Sequence, residues 1–164
     1  KYDGRVHATP LRNVTIAMNE PIGVMAVVCP DAHPLLGFIS LAIAPFAMGN
    51  RVVAIPSAAH PLAATDLYQV LDTSDVPGGS LNIVTGDPAA LANVLAQHDS
   101  VDAMWDFGSP DGGTAVERAS IGNMKQTWVS RGRARNWFDA EQGEGDEFLR
   151  KSTQVKNIWV PYGE

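Results

Sequence analysis

Residues 20–57 restrict the fold more than any other stretch. They run apolar strand, turn, long apolar segment, glycine stop, second apolar strand. Residues 23–29 (GVMAVVC) contain no charged or amide side chain, as expected of a strand buried on both faces. Residues 30–34 (PDAHP) form a turn. Residues 35–48 are apolar on all sides and predict a fully buried helix, stopped by Gly49 and Asn50. Residues 51–55 are the next strand. Two such strands joined by a helix make a βαβ unit, which sets the strands parallel. Units of this kind often hold nucleotides, but this turn and the end of the second strand lack the polar groups that would make the unit catalytic.

Downstream the alternation continues. His60 and Pro61 open a second helix with Ala63, Leu67, Val70 and Leu71 as its stripe. Residues 81–84 are a third strand. Asp87 and Pro88 cap a third helix whose inner face is Leu91, Val94 and Leu95. Residues 101–107 are a fourth strand, 108–113 a glycine-rich turn, 114–121 a weak helix and 125–129 a fifth strand. Short strands alternating with helices predict an α/β, Rossmann-like doubly wound parallel sheet over residues 20–130. Residues 1–19 read as a hairpin with Pro10 near its turn, and residues 154–160 as a final strand ended by Pro161. Residues 131–151 are polar and glycine-rich, and read as a loop or linker with a helical turn or two from Asp146.

Composition excludes several classes of function. With 164 residues and 45% apolar content the chain suits one domain with a real core. A net charge of −6 argues against general binding to nucleic acid or a membrane surface. The one basic cluster, Arg131, Arg133 and Arg135 near Trp137, is either a solvated loop or the contact for an acidic partner. A single cysteine, Cys29, excludes an internal disulfide and reads as a buried structural thiol. His7 and His98 lack metal-ligand spacing, so no metal is expected. The chain has neither a signal peptide nor a membrane-length apolar segment, so a cytoplasmic location is expected. A start at Lys1 is what a piece of a longer polypeptide would show.

Several segments together carry a resemblance. Residues 20–24 (EPIGV), 44–50 (APFAMGN), 55–58 (IPSA), 77–86 (PGGSLNIVTG) and 108–109 (GS) are similar, in order, to motifs of the cofactor domain of the aldehyde dehydrogenase superfamily. Residues 123–132 resemble the strand leading to that family's general base. Residues 148–159, around STQVK, resemble its C-terminal segment, where the last strand takes part in subunit assembly. By this resemblance residues 1–19 and 152–164 are an assembly hairpin and strand, with Val14, Ile16, Val155, Ile158 and Trp159 at the interface.

The departures from the family pattern point away from catalysis. The oxyanion-holding Asn falls on Ala32 and the general-base Glu on Ser130. The cofactor-binding Lys falls on Ile55 and the ribose-contacting Glu on Ala58, neither of which can bond a hydroxyl. Pro56, Ser57, Gly108 and Ser109 remain as a vestigial cofactor site, and Asp106 stands where it would repel a pyrophosphate. The domain bearing the nucleophilic cysteine has no counterpart in this chain. The pattern resembles the shortened, catalytically silent C-terminal domain of two-part, family-sixteen aldehyde dehydrogenases. It implies a structural and oligomerisation module of a larger enzyme, whose partners are its own full-length polypeptide and further copies. No cofactor is expected, although NAD(P) binding as part of an aldehyde oxidoreductase is the alternative reading. Asp31 with His33, and Ser57 with His60, have catalytic residue types but no third group; turn capping explains them as well.

Overall fold

In the computed structural model, which describes residues 4–10 and 12–162, the chain forms two sheets. The larger has five parallel strands: β3 (Val24–Val28), β4 (Arg51–Ile55), β5 (Leu81–Ile83), β6 (Ala103–Asp106) and β7 (Gln126–Val129). Their order is β5-β4-β3-β6-β7, so the chain reverses direction across the sheet between β3 and β6. Alternate residues serve opposite faces, as the pleat requires. Met25, Val27, Trp105 and Phe107 join one apolar layer, while Ala26, Val28, Met104 and Val116 join the other. Helices cover both faces, which makes the expected doubly wound α/β sheet.

The helix predicted for residues 35–48 is three continuous pieces: α1 (Pro34–Phe38), a π-helical turn (Ile39–Ile43) and α2 (Ala44–Ala47). Pro45 has no N–H for the preceding turn and crowds its carbonyl, so the helix widens just before it. Nor is it fully buried, since Leu35 is 46% and Ile39 39% exposed. Two short helices, α3 (Leu62–Thr65) and α4 (Tyr68–Asp72), replace the single one after Pro61. Helix α5 (Pro88–Gln97) starts where expected, with Asp87 accepting the Ala89 N–H at 3.2 Å. Its inner face is turned from the predicted one: Ala92 and Ala96 are buried and Val94 is exposed. The small alanines let α5 lie close to the sheet. Helix α6 (Gly112–Ala119) begins two residues earlier than expected, and its Gly113 lies close against Val129, where a Cβ would stand 3.0 Å from the Val129 Cβ.

Residues 131–151 pack more than a linker would. They include α7 (Ala140–Glu144) and α8 (Asp146–Lys151), and they bury Trp137 and Phe148 against Trp105 and Phe107. The Arg135 guanidinium lies 5.0–5.9 Å from the ring centres of Phe107, Trp128, Trp137 and Phe148, and pairs with Glu147 at 2.9 Å. The aromatic spacing was invisible as a pattern because its members come from four segments.

The smaller sheet is antiparallel, in the order β1 (Arg5–His7), β2 (Asn13–Pro21), β8 (Thr153–Pro161). Chain start and chain end therefore share one ladder, with Ile16 opposite Ile158 and Thr15 opposite Trp159. Leu11, part of the predicted hairpin, lies outside the described residues, as do residues 1–3 and 163–164.

Candidate functional site

The carboxyl ends of β3 and β6 meet at the point where strand order reverses, the usual binding crevice of open α/β sheets. After β3 the chain turns at Pro30 and Asp31. After β4 it turns at Pro56 and Ser57. Asp31 bridges these turns: its Oδ1 accepts from Ser57 Oγ at 2.5 Å and from the Ala59 N–H at 3.2 Å. The Ser57 hydroxyl holds the Asp31 carboxyl below its usual range, helped by the Ala59 N–H. Ser57 Oγ in turn accepts the His60 N–H at 3.1 Å. Asp31 and Ser57 are thus a turn clasp. The two catalytic pairings come apart, since His33 stacks edge-on against Phe138 and His60 reaches Ser57 only through its backbone.

After β6, Asp106 is 3% exposed and its Oδ1 accepts the Gly108 N–H at 2.9 Å. Burial pushes its carboxyl above the ordinary range, and the Gly108 bond offsets part of that. Ser109 Oγ accepts the Gly112 N–H at 3.0 Å. Two of the N–H groups that a glycine-rich turn could offer a phosphate are therefore already taken. Gly112 is required here, because a Cβ would stand 2.7 Å from Asp106 Oδ2.

Between α5 and α6 these turns enclose a cavity of about 270 Å³. Small apolar groups form its walls, among them Ala58, Ala92 and Ala115. Three carboxylates line it, Asp31, Asp87 and Asp106, with no lysine or arginine. Asp87 was legible only as a helix cap; the convergence of acids from three separate βα turns is a tertiary fact. Gly108 and Ser109 are on the cavity wall. Pro56 and Ser57 are buried and do not line it, and Ile55 is fully buried in the apolar layer shared with Ala92, Ala96 and Val116.

A second hollow, about 310 Å³, opens on the other side of the Gly108 turn. Ala32 and Ser130, the positions at which motif order sets the expectation of a replaced oxyanion residue and a replaced base, line it together. Arg133 and Arg135 also line it. Cys29 is 3% exposed, and burial pushes its thiol well above the ordinary range, which disfavours the thiolate. Among the described residues no cluster of three or more His, Cys, Asp or Glu is placed to hold a metal ion, and no helix is long and apolar enough to cross a membrane.

Residues 1–136 match the family described as Aldehyde dehydrogenase family. The chain is 34% identical over 134 residues to betaine aldehyde dehydrogenase of Bacillus subtilis (strain 168), and 32% identical over 133 residues to NADP/NAD-dependent aldehyde dehydrogenase PuuC of Escherichia coli (strain K12). Each match covers 80% of this chain and 27% of the relative, so the chain spans about a quarter of the length of these proteins. Cytosolic 10-formyltetrahydrofolate dehydrogenase of Xenopus tropicalis is 32% identical over 126 residues, 76% of this chain and 14% of that one. Among solved structures, apo indole-3-acetaldehyde dehydrogenase superposes with a TM-score of 0.75 at 29% identity, covering 82% of this chain and 32% of its own. The aldehyde dehydrogenase KauB of Pseudomonas aeruginosa gives 0.73 at 31% identity, covering 79% and 26%. Motif order, parallel sheet and these matches agree: the chain belongs to the aldehyde dehydrogenase family.

Proposed function

We propose that this domain is a non-catalytic structural module that helps assemble a larger aldehyde dehydrogenase or its oligomer. The observation that carries this reading is β8. It is nine residues long, it pairs only with β2 among the described residues, and Val155, Trp159 and Val160 on it are 61%, 61% and 47% exposed. A long apolar edge strand promotes association unless another chain pairs with or covers it. Val6, Ile16 and Ile158 form one row across the sheet, and Val14 and Val160 the next, on the same face. The replacements at Ala32, Ile55, Ala58 and Ser130 support a silent site. So does the absence of a charged or amide group on the oxyanion and base side chains themselves.

Ile158→Glu tests the reading with little risk to the core, because its side chain stands on the projecting sheet and the Rossmann-like unit packs elsewhere. Light scattering should report an assembly for the parent chain and a single-chain mass of 17.5 kDa for the variant. The same mass for both proteins would remove this reading.

The α5–α6 cavity favours a second reading, a dinucleotide-binding module that works with a catalytic domain elsewhere. Its lining does not fit a pyrophosphate: three carboxylates face the space, no cation balances them, and the Gly108 and Gly112 N–H groups are engaged within the turn.

A further inference from the structure

The outer edge of β8 has a bonding pattern that the inner edge fixes. Strands β2 and β8 pair with Asn13 opposite Pro161, and one step further along Arg12 stands opposite Tyr162. The Tyr162 N–H donates to Arg12 O at 3.0 Å, so that opposed pair is a hydrogen-bonded one. Bonded and non-bonded pairs alternate along an antiparallel ladder. Gln154, Lys156, Ile158 and Val160 therefore turn their backbone groups to β2, while Val155, Asn157 and Trp159 turn theirs away from it. No strand pairs with that outer side among the described residues, and all three outward residues are exposed. Pro161 shares their parity but has no N–H, so the row of donors stops at Trp159.

We propose that β8 pairs antiparallel with β8 of a second copy of this chain, about a two-fold axis at Asn157, so that two three-stranded sheets become one. This names the partner and the register for the assembly reading, and it rests on that reading. A two-fold strand pair is self-complementary only where outward residues oppose outward residues, which leaves few positions for the axis. With the axis at Asn157 the strands overlap along their whole nine-residue length. Asn157 then faces itself, and Val155 faces Trp159 on both sides of the axis. Every outward N–H and C=O from Val155 to Trp159 gains a partner, and a β-branched residue against an aromatic is a favourable cross-strand pair. Lys156, the one charge on the strand, faces Ile158 and keeps its own Glu20 at 3.1 Å. An axis at Lys156 would set two ammonium groups directly opposite each other, which is destabilising. An axis at Ile158 would set Val155 against Pro161, which has no donor, at both ends of the ladder.

Cysteine variants of the full chain read partner and register together, because Cys29 is buried and does not compete. In this register Asn157→Cys sets two thiols at a hydrogen-bonded pair, about 5.5 Å apart at Cα and within disulfide reach. Lys156→Cys and Ile158→Cys set like residues on a diagonal of about 7–8 Å, beyond that reach. With oxidised glutathione, Asn157→Cys should form a disulfide-linked dimer on a non-reducing gel at least about tenfold faster than either neighbour. Asn157→Pro removes an outward N–H and spares the bonds to β2. Light scattering should therefore give twice 17.5 kDa for the parent and 17.5 kDa for Asn157→Pro. An unlinked Asn157→Cys, or faster linking at Lys156→Cys or Ile158→Cys, would overturn the proposal. Assembly that survives Asn157→Pro but not Ile158→Glu would overturn it too, and would leave the assembly reading in place. A parent of single-chain mass would remove both. If Asn157→Pro does not fold, the three cysteine variants decide alone.

Discussion

Asn50 is 2% exposed and joins three parts of the chain. Its Nδ2 donates to Pro45 O at 2.9 Å and to Ser152 O at 2.8 Å, and its Oδ1 accepts the Gly23 N–H at 3.0 Å. In the sequence it reads only as half of a helix stop. Asn50→Ala removes three hydrogen bonds and takes the side-chain partner from the Gly23 N–H and Ser152 O, while Pro45 O keeps the Met48 and Asn50 N–H groups. It should cost about 2–3 kcal/mol, measured as a lower urea midpoint with an unchanged slope. Gly23 beside it has φ of 135°, and a Cβ there would stand 2.2 Å from Asp102 Oδ2, which accepts the Val24 N–H. Asp106 gives the pH prediction at this scale. Its carboxyl is raised in the folded state by burial. A raised carboxyl binds its proton more tightly when folded, so its contribution is fully present below the unfolded value of about 3.9 and is lost as pH rises through the folded value. Asp106→Asn should therefore gain stability relative to the parent as pH rises from about 4 upward through the folded value. Denaturation midpoints of both proteins across that range check it, and a constant difference would refute the linkage.

At the scale of elements, α8 and β8 form one device. Phe148 on α8 is 2% exposed, with ring centres 5.6 Å from Trp128 and 6.5 Å from Trp105. Ser152, at the end of α8, returns its Oγ to Phe148 O at 2.7 Å. The six-residue helix is too short to persist alone, so its burial against the aromatic layer holds it. Phe148→Ala should cost about 3–5 kcal/mol, the range for truncating a buried aromatic, and thermal unfolding measures it. A linker residue would cost next to nothing. The composition of residues 131–151 misleads because charge and glycine dominate it, while packing rests on two aromatic side chains and on Arg135 covering them with its planar face. The basic cluster divides on the same ground. Arg135 belongs to the core wall, and Arg131 pairs with Glu117 at 2.7 Å near the surface.

For the whole molecule, the charge of −6 is not spread evenly over function. The crevice at the sheet's switch point has carboxylates toward α5 and arginines toward residues 131–135. A pyrophosphate laid in the acidic half would meet a lining without lysine or arginine. Calorimetry should accordingly find no saturable heat for NAD up to about millimolar concentration. Micromolar binding would instead support the cofactor-module reading and remove the silent-site argument.

The periodicity of residues 20–130 was enough to determine the parallel sheet and its two covering layers, because buried strands and the helices between them leave local signatures of apolar run, cap and glycine stop. The same stretch supplied the family, through motifs that sit at turns where backbone geometry limits the choice of residue. Motif order alone gave the expectation that Ala32, Ile55, Ala58 and Ser130 stand where the family has polar residues. Tertiary structure alone decided that Asp31, Asp87 and Asp106 share one cavity, that Asn50 fastens the first βα unit to the end of α8, and that residues 131–151 close the aromatic layer. Those facts depend on groups from separate segments meeting in space, and pairwise distance between remote residues leaves no trace in local spacing.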